Sequence, residues 1–380
     1  MIEFYNSQVD DFRALVDGAG IRDAGSALQD FIDTDPTKIS WSSSLIPKVA
    51  RGHKIRFNPL QLRVGAYRPF TRHEVYFDPD LNHRQGQMSS VFPTSRHENR
   101  GFVLVAPGES VGLYVLATDL LPDLHVLATN QFFARWTYEP ADPQESQGAF
   151  DLSGEEAVAV DGFRRLDNIT DQALAAYRRW YGPLVTTDDV FAFVYGLLHS
   201  PDYRTRFAAD LKRTLPHIPR IEATDFTAFR DAGQALLDLH INYEAVDAYP
   251  LTVTGDHPTG PGSADLYGWF AVEKLRWSGT AKTRDRTTIV YNNHITIAGI
   301  PEAAHEYMLG SRSALEWILD RYQVRTDKPS GIRNDPNDYS REVNNPRYIL
   351  DLIAKVTTVS VRTVEIVNAL PPLRITEDQA

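Results

Sequence analysis

Cysteine is absent from all 380 residues, which excludes disulfides and thiolate metal sites and fits a reducing cytoplasm. No apolar run approaches the ~20 residues needed to span a bilayer. The N-terminal MIEFYNSQVDDF lacks the basic stretch and apolar core of a signal peptide. Together these absences read as a soluble cytoplasmic protein. An excess of positive charge is also missing: 39 Lys and Arg stand against 50 Asp and Glu, a formal net charge of −11. That balance opposes binding to a polyanion, because phosphate contacts need cations. Hydrophobic residues at 42% are nevertheless ample for a packed core.

The signatures of catalysis are missing as well. There is no glycine-rich GxxxxGK[ST] phosphate loop and no GxSxG nucleophile turn. His73-Glu74, His97-Glu98 and His305-Glu306 each lack the second His, three residues after the Glu, of a metalloprotease helix. Asn58-Pro59-Leu60 and Asn345-Pro346-Arg347 lack the aromatic residue of an NPPY-type amino-methyltransferase tetrad. One pattern does match a nuclease formally: Pro201-Asp202 with Asp210-Leu211-Lys212 has the PD…(D/E)xK order whose carboxylates hold a metal. Here, however, the stretch reads as one amphipathic helix running over 200–215, which holds Asp202 and Lys212 too far apart.

What is present is unevenly placed. Residues 38–100 carry eleven Lys and Arg against four Asp and Glu, with His53, His73, His83 and His97 besides. A basic region in an acidic body can still grip a polyanion, although the same charges would also serve as a scattered solvated surface. Residues 1–35 read as a short helix and an acidic connector. KIRF, EVYF, FVLV and GLYVL read as short strands between Lys54 and Val115, and 140–154 as a polar boundary loop. Helices are expected over 171–180 and 188–199, each opened by its Asp, and over 226–239, 301–322 and 345–369. A Pro/Gly loop is expected over 249–263. TTIVYNNHITI (287–297) reads as a hairpin turning at Asn292-Asn293. The expected fold is α+β: a strand-rich N-terminal lobe (36–150), then a helix-rich C-terminal lobe (151–380) with a small β-hairpin or sheet.

Seven collinear segments carry a resemblance. They are FYNSQV (4–9), DPTKISW (35–41), AYRPF (66–70), LLHSPDYRTRFAADLKRTLPHIP (197–219), YNNHITIAGIP (291–301), SALEWILDRYQVRTDKPSGIRNDPNDYSREVNNPRYIL (313–350) and VNALPPL (367–373). The chain resembles the C-terminal block of the type ISP restriction–modification enzymes, single polypeptides that bind, methylate and cut DNA. The resemblance implies a non-catalytic target recognition domain for double-stranded DNA. Its partners would be the methyltransferase and the helicase–nuclease domains of the same system. Adenine methylation, S-adenosylmethionine, ATP and magnesium would belong to those partner domains, with no cofactor in this chain. A cloned fragment and a separately encoded subunit fit equally well.

Within that frame the base-reading candidates are loop residues able to pair with base edges. The 81–100 segment is richest, with Asn82, His83, Arg84, Gln85, Gln87, Arg96, Asn99 and Arg100. Lys48, Arg51, Lys54 and Arg56 in IPKVARGHKIRF, and Arg72, read as cations that position the duplex through phosphates. Lys282, Arg284 and Arg286 in a second basic loop (274–286) form either another clamp or a solvated hairpin. Two other readings remain open: a protein-interaction scaffold without sequence-specific DNA binding, and a stand-alone nuclease built on Asp202, Asp210 and Lys212.

Overall fold

The computed structural model describes residues 1–19, 24–141, 161–255, 257, 265–280 and 282–376. As expected, the protein is α+β, with helices and several small sheets. Its two compact units interleave along the chain. One comprises Met1–Arg63, Glu74–His97 and Arg325–Asn334; the other comprises Val64–His73, Glu98–Val324 and Asp335–Ala380. Residues 1–35 are therefore more than a connector, because Tyr5, Val9, Phe12, Leu28 and Ile32 share a core with Ile39, Leu45, Val49 and Ile55. The boundary expected at 150 lies outside the described residues. Among the described residues no helix is long and apolar enough to cross a membrane.

In the first unit, helix Ile2–Ala19 buries Tyr5, Val9 and Phe12, an i, i+4, i+7 stripe that gives the helix one apolar face. KIRF is not a strand. Residues 53–58 have no regular secondary structure, because their backbone groups are engaged by side chains of that first helix instead of by a neighbouring strand.

The second unit is organised around FVLV. Strand Gly101–Val105 is buried along its whole length and lies between Val115–Thr118 and Asn130–Ala134, antiparallel to both. Its residues alternate between two cores, as the two-residue period of a strand requires. Phe102 and Leu104 pack with helices Thr187–His199 and Ala223–Ile241. Val103 packs with helices Ala314–Arg321 and Tyr348–Asn368 and with a four-stranded antiparallel sheet. That sheet has the order Arg276–Ser278, Asp285–Val290, Thr296–Ala298, Thr252–Thr254. Its last strand falls within the stretch expected to be a Pro/Gly loop, and 258–264 lie outside the described residues.

Local chemistry explains the other departures. The 287–297 hairpin exists, but Val290 pairs with Thr296, leaving a five-residue loop in place of a tight Asn-Asn turn. Asn292 stabilises it through its side chain, whose Oδ1 accepts the N–H groups of His294 and Ile295 at 2.9 and 2.8 Å, an Asx-type turn that needs no positive φ. The first half of the helix expected over 301–322 is instead a 3-10 turn, Glu302–His305, followed by a short hairpin of Met308–Leu309 with Arg312–Ser313 that turns at Gly310, where φ is +81°. A new helix starts at Ala314 on the capping box of Ser313 and Glu316. Thr170 and Thr186 cap helices Asp171–Tyr181 and Thr187–His199, so the caps precede the expected Asp171 and Asp188.

The helix expected over 200–215 ends at Arg206 and continues as hydrogen-bonded turns, Leu211 N–H to the Phe207 carbonyl and Thr214 N–H to the Asp210 carbonyl. Asp202 is occupied too: its carboxylate accepts the backbone N–H of Leu373 at 3.0 Å.

Candidate nucleic-acid interface

The first unit carries thirteen Lys and Arg against twelve Asp and Glu, whereas the second carries 26 against 38. The net acidity of the chain thus belongs entirely to the second unit. Ten of the sixteen candidate residues lie in the first unit: Lys48, Arg51, Lys54, Arg56, Asn82, His83, Arg84, Gln85, Gln87 and Arg96.

Two side chains of the FYNSQV motif build the first element, the 53–57 loop. Asn6 Nδ2 donates to the Ile55 carbonyl at 2.9 Å, and Asn6 Oδ1 accepts the Ile55 N–H at 2.9 Å. Tyr5 donates its hydroxyl hydrogen to the His53 carbonyl, also at 2.9 Å. The double amide bond mimics one rung of a β-ladder and pins Ile55 in the core, where it is 2% exposed. Lys54 and Arg56, on either side of it, are thereby held at the surface.

Asp80 joins this loop to the second element. It accepts from Lys48 and from His53, both at 2.8 Å. Against the cost of partial burial, those hydrogen bonds hold its carboxyl below the ordinary carboxylate range. Asp78 and Asn82 shape the turn that follows, with the Asp78 N–H on Asn82 Oδ1 at 2.6 Å and the Asn82 N–H on the Asp78 carbonyl at 2.9 Å. His83 is hydrogen-bonded to Ser44 at 2.9 Å. Arg84 then adopts a left-handed backbone, φ 57°, and Gly86 another, φ 58°. A left-handed arginine is uncommon and costs about 1–2 kcal/mol. Gln85 is half-buried, whereas Arg84 and Gln87 are exposed.

The cations therefore differ in availability. Lys48 is committed to Asp80, and Lys54 pairs with Asp10 at 2.7 Å. Arg51, Arg56 and Arg84 are exposed, and among the described residues none of the three forms an ion pair. A third basic element was not singled out from sequence. Strands Arg325–Thr326 and Arg333–Asn334 form an exposed hairpin with Lys328 at its tip. Its turn is closed by Asp327, which accepts from the Ser330 N–H and hydroxyl at 3.0 and 2.6 Å.

The remaining six candidates belong to the second unit. Asn99 is buried, its amide donating to the Trp136 carbonyl at 2.8 Å while its oxygen accepts the Trp136 N–H at 3.2 Å. Arg72 binds Tyr243 and Glu244 at 3.0 and 3.1 Å. Arg100 pairs with Asp188 at 2.9 Å and lies over Trp136. These three serve the packing of their own unit. Arg286 pairs with Glu316 at 3.4 Å. Lys282 and Arg284 stay exposed in the connection between strands Arg276–Ser278 and Asp285–Val290.

An α+β scaffold that presents cations and amides on held loops, with its acidity confined to a separate unit, has the make-up of a specificity module. The chain belongs to the Type ISP C-terminal specificity domain family, whose profile matches residues 1–352. Among solved structures it resembles a nuclease-deletion mutant of the Type ISP restriction–modification enzyme LlaGI in complex with a DNA substrate mimic: 34% identity, TM-score 0.78, covering 99% of this chain and 31% of that one. The ATP-dependent Type ISP enzyme LlaBIII bound to DNA is similar at 29% identity, TM-score 0.79, covering 99% of this chain and 21% of that one. The DrdV–DNA complex matches at 30% identity and TM-score 0.77, covering 97% and 33%. The chain thus spans about a third or less of the length of these neighbours. No curated protein sequence matches it.

Proposed function

We propose that this chain is the non-catalytic, sequence-specific reader of double-stranded DNA in a type ISP restriction–modification system. The methyltransferase and helicase–nuclease domains of that system would supply the chemistry, with S-adenosylmethionine, ATP and magnesium bound there. One observation carries the reading. Two loops tied together through Asp80 carry Arg51 and Arg56 in one and Arg84 and Gln87 in the other, all exposed, and among the described residues none of the three arginines forms an ion pair. Arg51 and Arg56 are suited to phosphates, which position a duplex without reading it. Arg84 and Gln87 have the side chains that pair bidentately with guanine and adenine edges in the major groove. A reader of this kind would fix which adenine is presented for methylation by the partner domain.

The acidic second unit repels a polyanion, so the isolated chain should bind DNA weakly and with a steep salt dependence. Selection of bound duplexes from a random pool, followed by a salt titration on the winning site, tests this. A single consensus is expected, and Arg56→Ala should flatten the salt slope by about one unit. Affinity that ignores salt, or a pool that yields no consensus, would overturn the proposal in favour of a protein-interaction scaffold.

A further inference from the structure

Phe57 follows Arg56 at the end of the clamped loop and is 58% exposed. Its ring is nonetheless held. It stacks on Tyr76 with centroids 5.4 Å apart and planes 17° from parallel, and the Tyr76 hydroxyl accepts the N–H of Asn58 at 2.9 Å. Asn58 is itself fixed, because its side chain accepts the Leu60 N–H at 3.0 Å. An exposed phenylalanine pre-positioned in this way loses little side-chain freedom when it meets a partner.

The surroundings identify the partner. Phe57 sits beside Arg56, which is exposed and forms no ion pair among the described residues, on the loop that also carries Lys54, and this positive charge complements a polyanion. Aromatic and guanidinium groups side by side fit a polyanion with apolar spots. Two such spots exist on a duplex: the stacked base faces, reached by a wedge, and the thymine methyl in the major groove. Full insertion between two bases needs both ring faces free. Tyr76 covers one face of Phe57, which leaves the other face and the edge, the geometry that suits a methyl group.

We infer that Phe57, backed by Tyr76, is a specificity-determining residue that contacts the 5-methyl group of one thymine in the target. The inference rests on the DNA-reading proposal and adds a base-specific contact to it. The test uses the whole chain and the duplex selected above, with each thymine replaced singly by deoxyuridine, which removes the methyl and keeps the pairing. Wild type should lose about four-fold in affinity at one position, the burial of a single methyl-sized group. Phe57→Ala should show that loss on the unmodified duplex and no further loss with deoxyuridine at that position. Phe57→Leu, which keeps an apolar side chain, should retain much of the sensitivity, and thermal unfolding of each variant establishes that it folds.

The inference fails if no deoxyuridine affects wild type, if Phe57→Ala remains sensitive, or if Phe57→Ala weakens every duplex alike. It also fails if Phe57→Ala spares DNA binding and instead weakens association with the methyltransferase portion. A wild-type chain without duplex affinity would overturn the DNA reading itself. Binding that is indifferent to Phe57 overturns this contact alone.

Discussion

Gly233→Ala should destabilise the second unit by about 3 kcal/mol or more, at the upper end of what overpacking costs. Helices Thr187–His199 and Ala223–Ile241 meet backbone to backbone at two glycines. A Cβ on Gly233 would fall 1.8 Å from the Ala192 carbonyl oxygen and 2.7 Å from the Gly196 nitrogen, and one on Gly196 would fall 2.1 Å from the Phe229 carbonyl oxygen. Backbone cannot move aside as a side chain can, so the helices must separate. That opens the core formed by Phe193, Leu197, Phe229, Leu236 and Leu237. The sign is diagnostic, because Gly→Ala inside an exposed helix ordinarily stabilises by about 1 kcal/mol. Gly18, with nothing within 4 Å of its Cβ position, supplies the control and should be neutral or stabilising. Urea unfolding at constant m-value reads both variants. A Gly233→Ala protein as stable as wild type would show that the two helices are not locked at this crossing.

Acid should unfold the same unit well above the carboxylate range. His240 is 1% exposed and lies between the Tyr195 hydroxyl at 2.7 Å and the Thr363 hydroxyl at 2.9 Å, stacked on Tyr307. Burial pushes its pKa down to about 3. His199, 5.5 Å away between ring centres, is held well below its ordinary value by burial and then by the Arg204 and His240 charges. A histidine with a depressed folded-state pKa has no effect above the unfolded value of 6.5. As pH falls below that value only the unfolded chain takes up the proton, so stability drops until the folded pKa is reached. For His240 alone the loss between pH 7 and pH 5 comes to about 2 kcal/mol. Unfolding free energies measured across this range should decline steeply in wild type and less steeply in His240→Gln, whatever that variant loses at pH 7. Parallel slopes for the two proteins would place the acid sensitivity elsewhere.

Much of this architecture was legible in the residues. The stripe of Tyr5, Val9 and Phe12, the continuous apolar FVLV and the strands of the 287–297 hairpin follow from periodicity. The placement of Arg84 on a surface loop was legible as well. Other features depend on groups distant in sequence. KIRF alternates like a strand, yet its backbone is satisfied by Tyr5 and Asn6, some 48 residues earlier, which local pattern cannot show. The 325–334 hairpin sits in a signature block that reads as a scaffold loop, and its membership of the first unit emerges only from tertiary contacts. Asn99, Arg72 and Arg100 have the right chemistry for DNA but spend it on Trp136, Glu244 and Asp188. Residue type identifies a capacity to bind, and burial decides whether that capacity is free. Phe57 carried a signal in retrospect, as an aromatic directly after a basic alternation.

The central claim is that the first unit divides its work between a phosphate grip at Arg56 and base reading at Arg84. Binding of Arg56→Ala and Arg84→Ala to every single-base variant of the selected duplex tests it most directly. Arg56→Ala should weaken all duplexes by a common factor, whereas Arg84→Ala should lose about 1–3 kcal/mol on the correct site and cease to discriminate at one base pair. The same uniform loss from both variants would contradict the account and move base reading to the exposed Lys282 and Arg284 of the second unit.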